Sequence, residues 1–217
     1  MDNELRYIEN WDWVTLTIVG TLIILAVTRY LYPRRFHEFL RLPLSDKYFK
    51  LQGKGYEIKH LFNVLLFGVQ LISFSLFAFF FLNFTDPSIS RENSWLFVQI
   101  ITGIMVFLLT KYFSEKIIGH IFNIEGVINA YLYEKLSYAS IISLLVMVGN
   151  IVFYFALKPT KTTLMVFTVV LAVLYLISLI SSFKRKWRVI LRHFSYFILY
   201  LCALEIAPYI ILYHLLI

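Results

Sequence analysis

The sequence is poor in cysteine, proline, glycine and charge, and each shortage excludes a class of protein or a kind of organisation. Cys202 is the single cysteine, so no disulfide can form within the chain. Eight glycines and five prolines leave no linker that would divide the chain, and one domain over residues 1–217 is expected. Charged residues make up 15% and hydrophobic residues 60% of the chain, whereas soluble proteins average about 25% and about 45–50%. The composition therefore predicts an integral membrane protein.

The residue patterns typical of enzyme active sites and metal sites are also missing. Ser140, Ser143 and Ser195 lack a G-x-S-x-G turn, and Cys202 lies in an apolar run without a paired histidine. The five histidines form no HxxxH or HExxH pattern. The net charge of +7 accompanies no recognisable nucleic-acid-binding module, and a basic surface beside anionic lipid explains it. The sequence predicts a non-enzymatic protein without metal, cofactor or nucleic acid.

Six apolar windows approach or reach the length of about 17 to 25 residues that a helix needs to cross about 30 Å of hydrocarbon. They cover residues 13–32, 60–84, 95–110, 138–157, 163–183 and 194–217. The third window is short, and Lys111 is expected to snorkel towards water at its end. Alternatively, the third span extends through Ile118 as a long tilted helix. We predict an all-α fold, a polytopic membrane helix bundle of about six transmembrane helices.

Lysine and arginine fall very unevenly on the two faces that six spans define. Sixteen of the 20 lie on one face and four on the other, and positive charge is retained on the cytoplasmic side. Both termini are therefore predicted outside a bacterial inner membrane, with an uncleaved first span behind an acidic N-terminus. The predicted basic cytoplasmic face includes Arg34, Arg35, Lys184, Arg185, Lys186 and Arg188.

Two predicted cytoplasmic segments have the pattern of amphipathic helices. Residues 34–44 mix apolar side chains with Arg, His and Glu, and residues 121–134 repeat Ile, Tyr and Leu at helical spacing against Asn and Glu. Such interfacial helices either bind lipid or a partner or simply cap the bundle. Between the two segments, Lys111 and Glu115 are four residues apart and are expected to form a helical ion pair.

Polar residues recur at helical spacing inside the spans, where they should face other helices rather than lipid. Such faces are predicted on five spans: Asn63 with Gln70 on the second span; Gln99 with Thr102 and Thr110 on the third; Ser143 with Met147, Asn150 and Tyr154 on the fourth; Thr168 with Tyr175, Ser178 and Ser182 on the fifth; and Ile198 with Leu201, Cys202, Glu205, Pro208, Tyr209 and Leu212 on the sixth.

If depth in the membrane is counted at about 1.5 Å per residue, one polar residue from each of four spans lies in a common central layer. The candidate intramembrane polar site comprises Gln70, Thr102, Asn150, Glu205, Pro208 and Tyr209. Every cation lies at or near a membrane edge, so Glu205 is expected to be a neutral hydrogen-bond donor. Pro208 is expected to kink the helix beside it. Proton or substrate coupling through Glu205 and a static role in holding helices together both remain open.

Three stretches resemble a family of bacterial integral membrane proteins of unknown function found in the Bacteroidota. They are GYEIKHLFN at residues 55–63, KY at 111–112 with GHIF at 119–122, and YLCALEIAP at 200–208, whose Leu-Glu-Ile-x-Pro ending is the most specific part. The resemblance covers most of the chain and implies a polytopic helical protein of the inner membrane. It implies no activity, ligand or catalytic residue.

Three functional classes follow from these observations. The first is an inner-membrane subunit or scaffold, for example in envelope assembly or secretion, which the small loops and missing catalytic spacings favour. It would contact anionic membrane lipids and a protein partner or a second copy of itself. The second is a small transporter or channel component coupled through Glu205. An enzyme or lipid-handling protein at the basic face is the third and the least favoured.

Overall fold

The computed structural model of the protein describes residues 12–42, 60–85, 94–121, 125–156 and 160–191. Within these ranges the chain forms helices and no strand, which confirms the predicted all-α helix bundle. The helices are α1 (Asp12–Leu31), α2 (Pro33–Leu40), α3 (Leu61–Thr85), α4 (Ser94–Ile121), α5 (Glu125–Ile151) and α6 (Lys161–Leu191), and α5 continues into a π-helical turn at Val152–Ala156.

Five of these helices are long and apolar enough to cross a membrane: α1, α3, α4, α5 with its π-helical turn, and α6. They correspond to the first five predicted spans. The sixth predicted span, residues 194–217, lies outside the described residues, and so do Glu205, Pro208 and Tyr209. Six transmembrane helices therefore remain a prediction.

The third and fourth spans are longer than their apolar windows. The third window ends at residue 110, but α4 continues to Ile121, and Lys111 and Glu115 are buried in the bundle instead of ending the helix at water. Most of the segment 121–134, predicted as an amphipathic helix, is helical from Glu125 onward. It is not a separate helix, since α5 runs without a break from Glu125 to Ile151.

The short helix α2 follows α1 after a single residue, Tyr32. Pro33 occupies the first turn of α2, where its missing N–H costs nothing because that N–H has no helical partner. Phe39 is fully buried, with its ring edge-on to Phe62 of α3 at 6.0 Å between centroids. The structure thus confirms a short helix in the segment 34–44, which is anchored in the bundle by two apolar side chains, Phe39 and Leu42.

The central helix is α3, which packs against α1, α4, α5 and α6. Because the helices from α3 to α6 follow one another up and down, α3 and α5 run parallel. At the end of the bundle where α3 finishes, buried Phe79 and Phe80 pack with Met147 of α5 and with Trp13 of α1. At the other end, a cluster around Phe62 joins α2, α3 and α5.

One polar link ties the first helix to the π-helical turn. The hydroxyls of Thr15 and Tyr154 lie 2.9 Å apart, and the Tyr154 ring stacks on Phe80 at 6.2 Å. Tyr154 lies within the π-helical turn at the end of α5, and such turns occur mostly as single turns within α-helices. The α1 helix is therefore held at this end by both α3 and the end of α5.

Candidate functional site

A cavity of about 480 Å³ lies between α3, α4 and α5, at the end of the bundle where α3 and α5 begin. Its volume falls within the range of about 300 to 1,000 Å³ that is usual for ligand pockets. Phe67 of α3, Leu108 of α4 and Leu132 of α5 contribute to its apolar walls. Phe39 and Tyr175, from α2 and α6, complete the lining. Every long helix except α1 therefore reaches this cavity.

The wall of the cavity contains a buried ion pair between α4 and α5. Lys135 Nζ donates to Glu115 Oε1 at 2.7 Å, and the Glu115 side chain is 1% exposed. Nζ of Lys135 also lies 5.5 Å from the centre of the Tyr131 ring. Charges taken out of water need such compensation, because burying a charge costs several kcal/mol.

Lys111 adds a second buried ammonium group to the same wall. It lies one helical turn before Glu115 on α4 and is 7% exposed, so it does not extend to water as the snorkelling expectation required. Lys116 lines the exposed margin of the cavity, 5.9 Å from the Tyr112 ring. Three lysines and one glutamate thus line this part of the cavity.

Sequence reasoning missed this cluster because it treated charge as the end of a span. Lys111 and Glu115 were expected beyond the membrane edge, and Lys135 was assigned to a cytoplasmic segment. A usable signal was present, however. Leu108, Lys111 and Glu115 recur at steps of three and four, which places them on one face of a helix that continues past residue 110.

The deep part of the cavity contains the predicted polar face of the second span. Asn63 and Gln70 both line the cavity, as their seven-residue spacing predicted. Ser140 Oγ of α5 lies 3.4 Å from Gln70 Oε1 and donates to it, and both side chains are buried. This pair connects two parallel helices, which fits the role of a polar link between helices.

Asn150 links the same two helices at a different height. Its Nδ2 donates to the carbonyl oxygen of Ser73 at 2.9 Å, and the side chain is fully buried. The predicted face on the fourth span is confirmed, because Ser143 and Met147 are buried with it. Asn150 nevertheless lies ten residues beyond Ser140, about 15 Å along α5. On α3 the two partners are closer, since Ser73 follows Gln70 by three residues, and Gln70 and Asn150 contact different groups there.

Thr102, the third described member of the predicted layer, is not enclosed by the described helices. Its side chain is exposed, and its hydroxyl donates to the carbonyl of Val98 in its own helix at 2.7 Å. The basic residues predicted for the cytoplasmic face lie at the cavity end: Arg34 and Arg35 in the first turn of α2, and Lys184, Arg185, Lys186 and Arg188 in the last turns of α6.

Replacing Asn150 with leucine is expected to lower the free energy of unfolding only slightly, by about 0.6 kcal/mol, the average for a polar contact between membrane helices. The substitution removes the bond to Ser73 but also removes Oδ1, which has no hydrogen-bond donor among the described residues. Unfolding in detergent, with exposed Val148→Leu as control, measures the difference. A loss well above 2 kcal/mol would contradict a simple linking role.

Among the described residues, no three His, Cys, Asp or Glu side chains come together as metal ligands. His120, at the end of α4, and Glu125, at the start of α5, form an exposed contact across the connection between these helices. Both lie outside the lining of the cavity. The chemistry available in the cavity is thus that of ammonium, carboxylate, amide and hydroxyl groups beside an apolar wall.

The chain belongs to the family described as Domain of unknown function (DUF4271), which matches residues 14–216. Neither a curated protein nor a solved structure matches the chain. The match begins within α1 and includes the other four helices that could cross a membrane and almost all of the predicted sixth span. It confirms the resemblance to a family of unknown function.

Proposed function

We propose that the protein is a non-enzymatic subunit of a bacterial inner membrane that assembles with a second copy of itself through α4. The proposal rests on a polar face of α4 that no described helix covers. Its exposed residues are Gln99, Thr102, Gly103, Val106 and Thr110. They recur at steps of three and four and so occupy one side of the helix.

This side of α4 would be poorly matched to lipid. Gln99 lies one helical turn from Trp95, about 6 Å further into the span. Its amide has two donor hydrogens and an acceptor oxygen, and such groups in membrane helices hydrogen-bond across helix interfaces. A methyl group at Gly103 would have no neighbour within 4 Å, so a second helix could approach closely there. Small residues that permit close approach are typical of these interfaces.

A second copy of the chain satisfies these groups without any other partner. A twofold axis along the membrane normal brings each residue of α4 opposite its equivalent at the same depth. An amide is both donor and acceptor, so Gln99 of each copy pairs with Gln99 of the other. Among the five long helices α4 has the smallest share of buried residues, so it has the most surface available.

The orientation in the membrane is part of the proposal. The charge asymmetry of the sequence supports a cytoplasmic location for the end that contains α2 and the last turns of α6. Arg34 and Arg35 would then lie beside the anionic headgroups of the inner leaflet, where each positive charge contributes about 1 kcal/mol. Both termini would face outward, with three connections in the cytoplasm.

Cysteine cross-linking in native membranes tests the pairing of α4. In a Cys202→Ser background, we expect Val106→Cys to form a disulfide-linked dimer on mild oxidation. Val169→Cys is the matched control, since Val106 and Val169 are 58% and 62% exposed on different helices. Adding Gln99→Leu to Val106→Cys should weaken dimerisation roughly 3- to 20-fold, the equivalent of one interhelical hydrogen bond. Thr168→Leu, which alters an exposed α6 threonine, should leave dimerisation unchanged.

Three results would overturn the proposal. They are the absence of a cross-linked dimer from Val106→Cys, equal cross-linking through Val169→Cys, and dimerisation that is insensitive to Gln99→Leu. A cross-link from Val106→Cys to a protein of another size would identify a different partner and would also reject self-association.

A further inference from the structure

We propose that the cavity between α3, α4 and α5 binds a membrane lipid through the anionic phosphate of its headgroup, with an acyl chain along the apolar wall. The inference does not depend on the pairing of α4. It rests on the charge of the cavity, on its depth in the membrane and on the order in which its polar and apolar groups are arranged.

The charge of the cavity favours an anion. Lys111, Lys116 and Lys135 line it, and Glu115 is the carboxylate among its described lining residues. Glu134 is buried on the adjacent position of α5, and the excess positive charge that remains when it is included is that of Lys116 at the exposed margin. An ammonium group in a low-dielectric site attracts a phosphate far more strongly than it would in water. Hydrogen bonds between ammonium and phosphate are also stronger than those between neutral groups.

The lysines lie at the depth of a lipid phosphate. Lys111 and Glu115 are sixteen and twenty residues after Trp95, about 24 Å and 30 Å along α4. The hydrocarbon core is about 30 Å thick, so this part of the wall is at the edge of the core opposite Trp95. A free phosphate ion would have to leave water to reach Lys111, which is 7% exposed, whereas a lipid phosphate is already at this level.

The apolar groups of the cavity continue from the lysines towards the membrane interior. Leu108 precedes Lys111 by one turn of α4, and Phe67 faces the same cavity from α3. An acyl chain attached to a headgroup at Lys111 would lie against these side chains without exposing them to water. A lipid with one charged end and an apolar chain therefore matches both halves of the cavity.

Lipid-induced stabilisation of the purified full-length protein tests the inference. In a neutral detergent, phosphatidylglycerol should raise the melting temperature and should remain bound in native mass spectra. Lys111→Gln should weaken this binding roughly 10- to 100-fold, which corresponds to the loss of one hydrogen bond to a charged group. Glu115 keeps its ion pair with Lys135 in this variant. Lys111→Arg should restore binding.

The control variant is Lys161→Gln, which alters an exposed lysine at the first residue of α6, at the opposite end of the bundle. It should bind phosphatidylglycerol like the unaltered protein. A purely structural role for Lys111 would lower the melting temperature of the lipid-free Lys111→Gln protein but leave the lipid-induced shift unchanged, and that result would overturn the inference.

Two comparison ligands distinguish the source of the phosphate. Equal stabilisation by phosphatidylcholine would show that net negative charge is not recognised and would overturn the proposal. Inorganic phosphate that stabilises the protein as well as phosphatidylglycerol and displaces the lipid would assign the cavity to a free anion, which also rejects a lipid. Loss of α4 pairing has no bearing on these outcomes, since Lys111 lies inside the bundle.

Discussion

Replacing Lys135 with methionine is expected to lower the free energy of unfolding by about 3 to 5 kcal/mol, the usual effect of removing one partner of a buried ion pair. Methionine keeps most of the volume of the lysine stem, so the change is mainly one of charge. The Glu115 carboxylate, 1% exposed, loses the ammonium group that lies 2.7 Å from its Oε1. Unfolding of the purified protein in detergent, followed by circular dichroism or by a dye that does not react with cysteine, measures the loss in free energy of unfolding.

A double variant separates the charge effect from a general loss of packing. Glu115→Gln combined with Lys135→Met removes both charges and should recover most of the stability, because a buried pair costs desolvation energy that the neutral pair avoids. Lys116→Met is the control, since it removes an exposed lysine one position from Glu115. If the single Lys135→Met variant were as stable as the unaltered protein, the ion pair would contribute nothing to the free energy of unfolding. Strictly additive losses would mean that the two groups are not coupled.

Gly149→Ala is expected to destabilise the protein by about 1 to 3 kcal/mol, the range for overpacking in a well-packed interior. Intrinsic helix propensity predicts the opposite sign, since alanine is favoured over glycine within helices by about 0.5 to 1 kcal/mol. The reason is steric: a Cβ at residue 149 would lie 2.5 Å from Cζ of Phe167. The Phe167 ring is held edge-on between Phe77 and Phe153, at centroid distances of 5.5 and 5.3 Å. It has little room to move away.

A second glycine offers a matched control for this prediction. A Cβ at Gly103 would have no neighbour within 4 Å, so Gly103→Ala should leave the free energy of unfolding of the isolated chain unchanged or raise it. Combining Gly149→Ala with Phe167→Leu should recover part of the loss, because the smaller side chain leaves room for the new methyl group. Full stability of Gly149→Ala by itself would contradict the close packing of α5 against α6.

Much of the fold could be predicted because the membrane imposes simple requirements on a sequence. The first span ends where Pro33 cannot continue the helix of α1, and the structure places Pro33 at the start of α2. Helical spacing also identified a buried face on the fourth span, where Met147 and Asn150 are both enclosed. These features depend on residues that are close in the sequence, so periodicity alone reveals them.

The charged cavity depends on contacts between residues that are distant in the sequence. Glu115 and Lys135 are twenty residues apart, and they meet because α4 and α5 pack antiparallel on either side of a short connection at residues 122–124. Hydropathy treats a lysine such as Lys111 as the end of a span, whereas a neighbouring helix can supply its environment. Counting residues gives a depth along each helix but not which side chains meet across helices. Gln70 pairs with Ser140, and Asn150 pairs with the carbonyl of Ser73.

The hydrogen bond between Thr15 and Tyr154 has a consequence for biosynthesis. Its two residues are 139 positions apart, so at about 5 to 20 residues per second the ribosome needs roughly 7 to 28 s after Thr15 to add Tyr154. During that interval α1 can pack against α3, whose Phe79 and Phe80 are made earlier, but the threonine hydroxyl still lacks its tyrosine. The contacts of α1 are thus completed only after the π-helical turn that ends α5 has been synthesised.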